Sequence, residues 1–205
     1  MNKELLIIFY RNPELGKVKT RLAASVGDEK ALAIYLRLSG HTREVTENLA
    51  MDKSVYYSDF TDSEDNWSLT KYKKEIQTGR DLGERMKNAF ASGFEQGYQK
   101  IAIIGTDCFE LSSEIITQSF ERLDHHDAVI GPALDGGYYL LGMKKLIPEI
   151  FRNKAWSTES VCTETMKDLE RLNLIYSLSP PLRDVDEVRD LPEELAHLLN
   201  PNRPA

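Results

Sequence analysis

Two stretches of the 205-residue chain place carboxylates where a folded sheet would end. Ile101-Ala-Ile-Ile-Gly-Thr-Asp-Cys108 is an apolar run that stops at Gly105 and delivers Asp107 just beyond it. Gly131-Pro-Ala-Leu-Asp-Gly-Gly-Tyr-Tyr139 is an acidic, glycine-rich turn one helical segment later. Open α/β sheets hold ligands in the crevice outside the carboxyl ends of their strands. A carboxylate there can bind Mg²⁺ or Mn²⁺ through hard oxygens and leave positions open for phosphate and water. The competing reading of Asp107 is a helix cap. Asp135 can accept a hydrogen bond from an acceptor hydroxyl or act as a base, and Gly136 and Gly137 let backbone approach a ligand. Asp-Gly also makes ordinary hairpin turns.

A third stretch, Arg11-Asn-Pro-Glu-Leu-Gly-Lys-Val-Lys-Thr-Arg21, follows the first apolar run. Its four cations, with helix-start N–H groups beside them, suit an anion. Gly16 permits close backbone approach, Lys17 and Lys19 can neutralise phosphate oxygens, and Arg11 or Arg21 can fork onto them. The loop is not a Walker A motif, because the upstream glycine is missing and Val18 follows Lys17 where a hydroxyl is required. A solvated basic loop is the alternative.

Gln77-Thr-Gly-Arg-Asp-Leu-Gly83 reads as a strand-to-helix turn with Asp81 as its N-cap. Gln77 could hydrogen-bond a base or ribose, although a purely structural turn accounts for the pattern equally well. Asp184 and Asp186 alternate, so on extended chain they share a face and either can complete a metal site with Asp107. Capping of a final helix is the rival role. Trp156 is either core or pocket wall. The acidic stretch 58–66 lacks the glycine and terminal glutamate of an EF-hand loop and reads as solvated surface.

These residues need elements to position them. Leu5 to Tyr10 is a continuously apolar, β-rich run expected to be a central strand. Further strands are expected at 53–57, 72–77, 101–104, 128–130, 138–141 and 175–178. Helices are expected from Asp28 onward, at 81–97, 112–123, 144–151 and 158–172, and at 185–199 after the break at Pro180-Pro181. Strands alternating with helices predict an α/β fold, a three-layer αβα sandwich on a mostly parallel, mixed sheet of about seven strands. No repeat or long linker divides the chain. One domain over 1–200 is expected, with 201–205 as a tail.

Composition narrows the classes. Hydrophobic residues are 41% and charged residues 29%, ordinary for a globular chain. A net charge of −7 disfavours a nucleic-acid-tracking surface. Two cysteines, Cys108 and Cys162, without CxxC spacing argue against a disulfide framework or structural zinc. The longest apolar run is too short to span a membrane and lacks the features of a secretory signal, so a cytoplasmic location is expected.

Taken together, the motifs resemble the GT-A-fold nucleotide-diphospho-sugar transferase superfamily, and within it the bacterial branch labelled glycosyltransferase A, related to cofactor guanylyltransferases. The resemblance is carried by Phe9-x-Arg11-x-Pro13-x-x-Gly16-x-Val18-Lys19-Thr20-Arg21-Leu22, Gln77-x-Gly79-x-Asp81-Leu82-Gly83-x-Arg85-Met86 and Ile104-Gly-Thr-Asp-Cys108. It extends to Gly131-Pro-Ala-x-Asp-Gly-Gly-Tyr-Tyr-Leu-Leu-Gly142, Trp156-Ser157 and Asp184-Val-Asp186. It implies that the 11–21 loop receives nucleotide phosphates, that Gln77 and Asp81 lie near the nucleoside, and that Asp107 binds Mg²⁺ or Mn²⁺ with Asp184 or Asp186. It further implies that Asp135 faces the acceptor, with Gly136, Gly137 and Trp156 around it. Asp107, Asp135 and Lys19 are then the candidate catalytic residues. The chain departs from the pattern at Phe109, where a proline is usual, and at Glu187-Val-Arg189, where a Thr-Pro-acidic run is usual.

The partners so implied are a nucleotide or nucleotide-sugar donor and a small acceptor; oligomeric state is left open. The expected activity is transfer from a nucleotide-activated donor, with glycosyl transfer ahead of pyrophosphate-releasing nucleotidyl transfer. A non-catalytic nucleotide-binding protein is the alternative from another class. It would use the 11–21 loop but have no need of both Asp107 and Asp135.

Overall fold

The period-two alternation of the apolar strands sorts their side chains onto two faces of one sheet. Leu6, Ile8, Val55, Ala102, Ile104, Val129 and Leu140 pack on one side. Leu5, Ile7, Tyr56, Ile101, Ile103, Ile130 and Leu141 pack on the other. Burial on both faces is what a central, mostly parallel sheet requires. The computed structural model describes residues 3–199. Its strands are β1 (Glu4–Tyr10), β2 (Asp52–Tyr57), β3 (Lys73–Ile76), β4 (Lys100–Ile104), β5 (Ala128–Pro132), β6 (Tyr138–Met143) and β7 (Tyr176–Leu178). They form a seven-stranded sheet in the order β3-β2-β1-β4-β6-β5-β7. Only β6 runs antiparallel to its neighbours.

The helices are α1 (Thr20–Val26), α2 (Asp28–Thr46), α3 (Leu82–Glu95), α4 (Ser113–Arg122), α5 (Val161–Arg171) and α6 (Glu193–Ala196). Tyr35 of α2 with Ile116 and Phe120 of α4 covers the first face. Met86, Ala89 and Phe90 of α3 with Cys162 and Leu169 of α5 cover the second. This is the expected three-layer α/β sandwich. Asp81 caps α3 by accepting from Glu84 N at 2.8 Å, and Ser112 caps α4 by accepting from Ile115 N at 3.3 Å. Each cap contributes about 1 kcal/mol.

The structure corrects several expected elements. The helix expected from Asp28 is α2; ahead of it stands a short helix that was not expected, α1, separated from it by Gly27 at φ 87. The helix expected at 144–151 is only a 3-10 turn, Pro148–Phe151, because Ile147 before the proline is held out of the helical region at φ −116, ψ 81. The last helix is broken into a 3-10 turn Val188–Asp190, α6 and a 3-10 turn His197–Leu199. Pro192 has no N–H to continue a helix, and Leu191 before it is extended. The 58–66 loop is not simply solvated. Asp65 accepts from Tyr57 Oη at 2.5 Å and pairs with the nearly buried Lys74 at 2.6 Å, which pins the loop to β2 and β3. The expected tail, 201–205, lies outside the described residues. Among the described residues no helix is long and apolar enough to cross a membrane.

The strand order reverses between β1 and β4. From β1 the chain moves outward to β2 and β3, then returns to add β4 on the other side of β1. Such a switch point opens a crevice at the carboxyl ends of the two strands. The loop after β1 carries Lys19, and the loop after β4 carries Asp107.

Candidate active site

Lys19 sits just ahead of α1 in the left-handed conformation, φ 47 and ψ 45, which a lysine rarely adopts. That backbone turns its side chain inward, where it is only 4% exposed. Its Nζ lies 3.1 Å from Asp107 Oδ2 and 3.0 Å from Asp186 Oδ1. Burial alone would lower the pKa of this ammonium; the charges of Asp107 and Asp186 outweigh that and hold it above its ordinary value. Strain of this kind persists only where the surroundings over-determine it, and it gathers at working sites.

Asp184 and Asp186 arrive by a route that sequence spacing does not reveal. After β7 the chain turns back along the rim and is laced to it by backbone. Leu182 N donates to Pro132 O at 3.1 Å, Leu134 N to Leu182 O at 2.9 Å, and Val185 N to Asp107 O at 3.0 Å. Cys108 and Asp184 form an antiparallel bridge. Neither aspartate caps the following helical turn: Glu187 is the N-cap there, in a reciprocal capping box with Asp190.

Asp184 is pushed up to about 7, first by burial and then by the charge of Asp107, against the opposing pull of Lys19. The consequence for stability has a definite sign. Between about pH 4 and 7 the unfolded carboxyl is ionised while the folded one keeps its proton, so stability falls as pH rises through that window and levels above it. Asp184→Asn should therefore gain on the parent as pH rises from 4 to 7. Urea unfolding in chelator at several pH values measures the gap; a gap constant across the window refutes the assignment. Cys108, beneath Asp184, is raised to about 12, chiefly by burial, and is inert packing.

Asp135 lies in the β5–β6 turn. Its Oδ1 accepts from Gly137 N at 2.9 Å, leaving the other oxygen for a ligand. Gly136, at φ 91, packs its Cα directly against the backbone of Glu159, and Cys162 N donates to Gly136 O at 3.0 Å. This contact holds the Asp135 turn against the segment carrying Trp156. The indole of Trp156 occupies the space where a Cβ on Gly83 would stand, so it rests on the first turn of α3. Ser157 beside it has a left-handed φ of 64.

These groups line one open cleft of about 1780 Å³. Of the residues singled out in the sequence, the cleft brings together Arg11, Lys19, Arg21, Gln77, Asp107, Asp135, Gly136, Gly137, Trp156, Asp184 and Asp186. Gly16, Lys17 and Asp81 do not line it. Lys17 points to solvent and pairs with Glu14 at 2.8 Å, held in a turn by the bond from its own N to Glu14 O at 3.0 Å. Gly16 serves a turn, at φ 74, beside the Asp28 carboxylate. Asp81 is committed to capping α3. Gln77 faces the cleft with its amide nitrogen already bound to Tyr56 O at 2.8 Å, so its carbonyl is the group left for a ligand.

Other contributors were not apparent in the sequence. Tyr35 Oη donates to Arg11 O at 2.7 Å and accepts from Arg11 N at 3.0 Å, anchoring the start of the basic loop. Buried Asn12 accepts from Asp59 N at 3.0 Å and donates to Phe60 O at 2.9 Å, joining the loops after β1 and β2. Arg85, Glu159 and Arg189 also line the cleft. Only Arg85 carried a signal, its place in the Gln77–Met86 motif of the resemblance.

Among the described residues no three His, Cys, Asp or Glu side chains converge closely enough to hold a metal ion unaided. The carboxylates at the rim are all-oxygen donors, and Asp107 is 43% exposed. Such a set suits a hard cation that takes its remaining ligands from a substrate phosphate.

The fold is of the nucleotide-diphospho-sugar transferase type, as comparison with solved structures establishes. Residues 41–158 match the family described as an uncharacterized protein conserved in bacteria (DUF2064), and the chain belongs to that family. A crystal structure from Desulfovibrio desulfuricans G20, provisionally named a nucleotide-diphospho-sugar transferase, is 31% identical with a TM-score of 0.84, covering 100% of this chain and 90% of that one. The inositol-1-phosphate CTP transferase of T. maritima shares the fold at 13% identity and TM-score 0.55, covering 97% of this chain and 96% of that one. The 4-diphosphocytidyl-2C-methyl-D-erythritol synthase of Anaerococcus prevotii DSM 20548 does so at 11% identity and TM-score 0.56, covering 97% and 95%. No curated protein matches the chain.

Proposed function

We propose that the protein is a transferase that uses a nucleotide-activated donor, and that it transfers a glycosyl group from a nucleotide sugar. The observation that carries this reading is the convergence of Lys19, Asp107, Asp135, Asp184 and Asp186 on one rim at the switch point of the sheet. The 31% identical relative named for nucleotide-diphospho-sugar transfer supports the donor class. The basic loop supports it too. With Lys17 turned away, the loop offers Arg11, Lys19 and Arg21, and Lys19 and Arg21 already face Asp186. That is a modest cation supply, suited to a diphosphate rather than a triphosphate.

In the proposed reaction an acceptor hydroxyl oxygen bonds to the sugar C1 as the bond from C1 to the phosphate oxygen breaks, and nucleoside diphosphate leaves. Asp135 takes the hydroxyl proton. Lys19, Arg11 and Arg21 neutralise charge growing on the leaving phosphate, commonly the largest electrostatic contribution to such a step. Asp107 with Asp184 or Asp186 would hold Mg²⁺ or Mn²⁺, whose Lewis acidity would add to that neutralisation.

A thermal-shift panel of nucleotide sugars and nucleoside triphosphates with Mn²⁺ tests the donor. Nucleotide sugars are expected to raise Tm, and turnover is expected to release nucleoside diphosphate. Pyrophosphate release would replace glycosyl with nucleotidyl transfer. Firm binding with no turnover of any donor would favour a binding protein.

A further inference from the structure

Leu82, Arg85 and Met86 occupy i, i+3 and i+4 of the first turns of α3, one face of that helix, and all three line the cleft. Arg85 is half-buried, and its Nε donates to Gly79 O at 3.3 Å, which fixes the root of the guanidinium. Arg21, Arg80 and Arg189 each face a carboxylate. Arg85 has no acidic partner among the described residues. No buried side-chain nitrogen there lacks a partner, so the two unpaired terminal nitrogens of Arg85 are solvent-accessible, and the residue lines the cleft. A positioned guanidinium with its fork free is a receptor for a planar carboxylate or a phosphate.

Its surroundings say which substrate. The loop of Lys19 packs through Val18 on the face covered by α2, whereas α3, which carries Arg85, covers the opposite face. Trp156 rests on Gly83 in the turn that carries Arg85, and Tyr138 Oη donates to Met86 Sδ at 3.9 Å. The Trp156 segment is tied in turn to the Asp135 loop through Cys162 N and Gly136 O. Arg85, Trp156 and Asp135 are therefore linked along the side of the cleft flanked by α3 and α5, with Gln77 at the foot of the same helix beside them.

We propose that Arg85 binds an anionic group of the second substrate, so that the acceptor is a small hydroxylated molecule bearing a phosphate or carboxylate. The proposal rests on the reading that places donor phosphates at Lys19 and the acceptor at Asp135. Saturation-transfer NMR of the full chain with glycerol 3-phosphate, glycerate and glycerol tests it, and comparing the two anions distinguishes phosphate from carboxylate. At least one anion is expected to bind about tenfold or more tightly than glycerol. Arg85→Gln should reduce that anion to the level of glycerol, Arg85→Lys should fall between, and Lys19→Met should leave it bound. Thermal unfolding checks that each variant is folded, and the lysine variant serves if the glutamine one is not.

Anion binding that survives loss of Arg85, that is lost only with Lys19→Met, or that is no stronger than glycerol overturns the proposal, as does absence of anion binding. Nucleotide binding is read on the same samples. Its loss in Arg85→Gln alone would put Arg85 on the donor side and overturn the proposal. Failure of the parent protein to bind any nucleotide would instead sink the donor reading while the Arg85 site stood on its own evidence.

Discussion

Asp107→Asn is expected to lower affinity for a nucleotide sugar about tenfold or more in Mg²⁺ or Mn²⁺ and to leave it unchanged in chelator, while turnover falls on the order of 10²- to 10³-fold. The amide keeps the shape of the side chain and removes its charge. Lys19 would remain anchored by Asp186 at 3.0 Å, and the backbone bond from Val185 N to Asp107 O would persist, so the rim should survive. What is lost is the hard anionic donor at the end of β4. Calorimetry in parallel with and without metal separates the two conditions. Equal binding by variant and parent in both would remove the metal role from Asp107 and leave Lys19 and the arginines as the phosphate-binding charges.

The second large effect concerns stability. Gly136→Ala would force a Cβ into the backbone of Glu159 at a residue with φ 91. Neither atom set is the far end of a flexible side chain, so the hairpin or the Trp156 segment must move. The expected cost is about 3 kcal/mol or more from overlap plus backbone strain, a Tm loss of roughly 10 °C for a chain of this size. Gly97→Ala is the matched control: its φ is 85, but no atom lies within 4 Å of the added Cβ. It should cost only about 1–2 kcal/mol, the strain alone. Similar losses in the two variants would mean that the packing of the Asp135 turn on Glu159 contributes little. Because that packing positions the Asp135 turn, Gly136→Ala should also depress turnover at temperatures where the variant is fully folded.

Much of this architecture was legible in the chain because its signals are local. Short apolar, β-rich runs marked the central strands, and the cap Asp81 marked the start of α3 within one residue. The carboxylate beyond β4 and the glycine-rich turn before β6 are likewise local patterns, and both arrived at the rim. Expectations weakened where local pattern met proline or a long-range partner. Helical spacing at 144–151 and 185–199 was overridden by the backbone limits that Pro148 and Pro192 impose. The acidic 58–66 loop looked solvated because Lys74, which buries the charge of Asp65, follows nine residues later on another strand.

By itself, then, the sequence determined the layers, the strands and the set of acidic and basic residues available for chemistry. It could not decide which cations serve the cleft. Lys17 and Lys19 are two residues apart, yet the left-handed backbone at Lys19 turns one inward against Asp107 and Asp186 while the other stays in solvent with Glu14. Nor could it decide that Arg85 would lack a carboxylate, since a charge pair depends on what the fold brings near. Strand formation is governed by neighbours along the chain, whereas the electrostatics of a site are governed by neighbours across it, and only the tertiary structure supplies those.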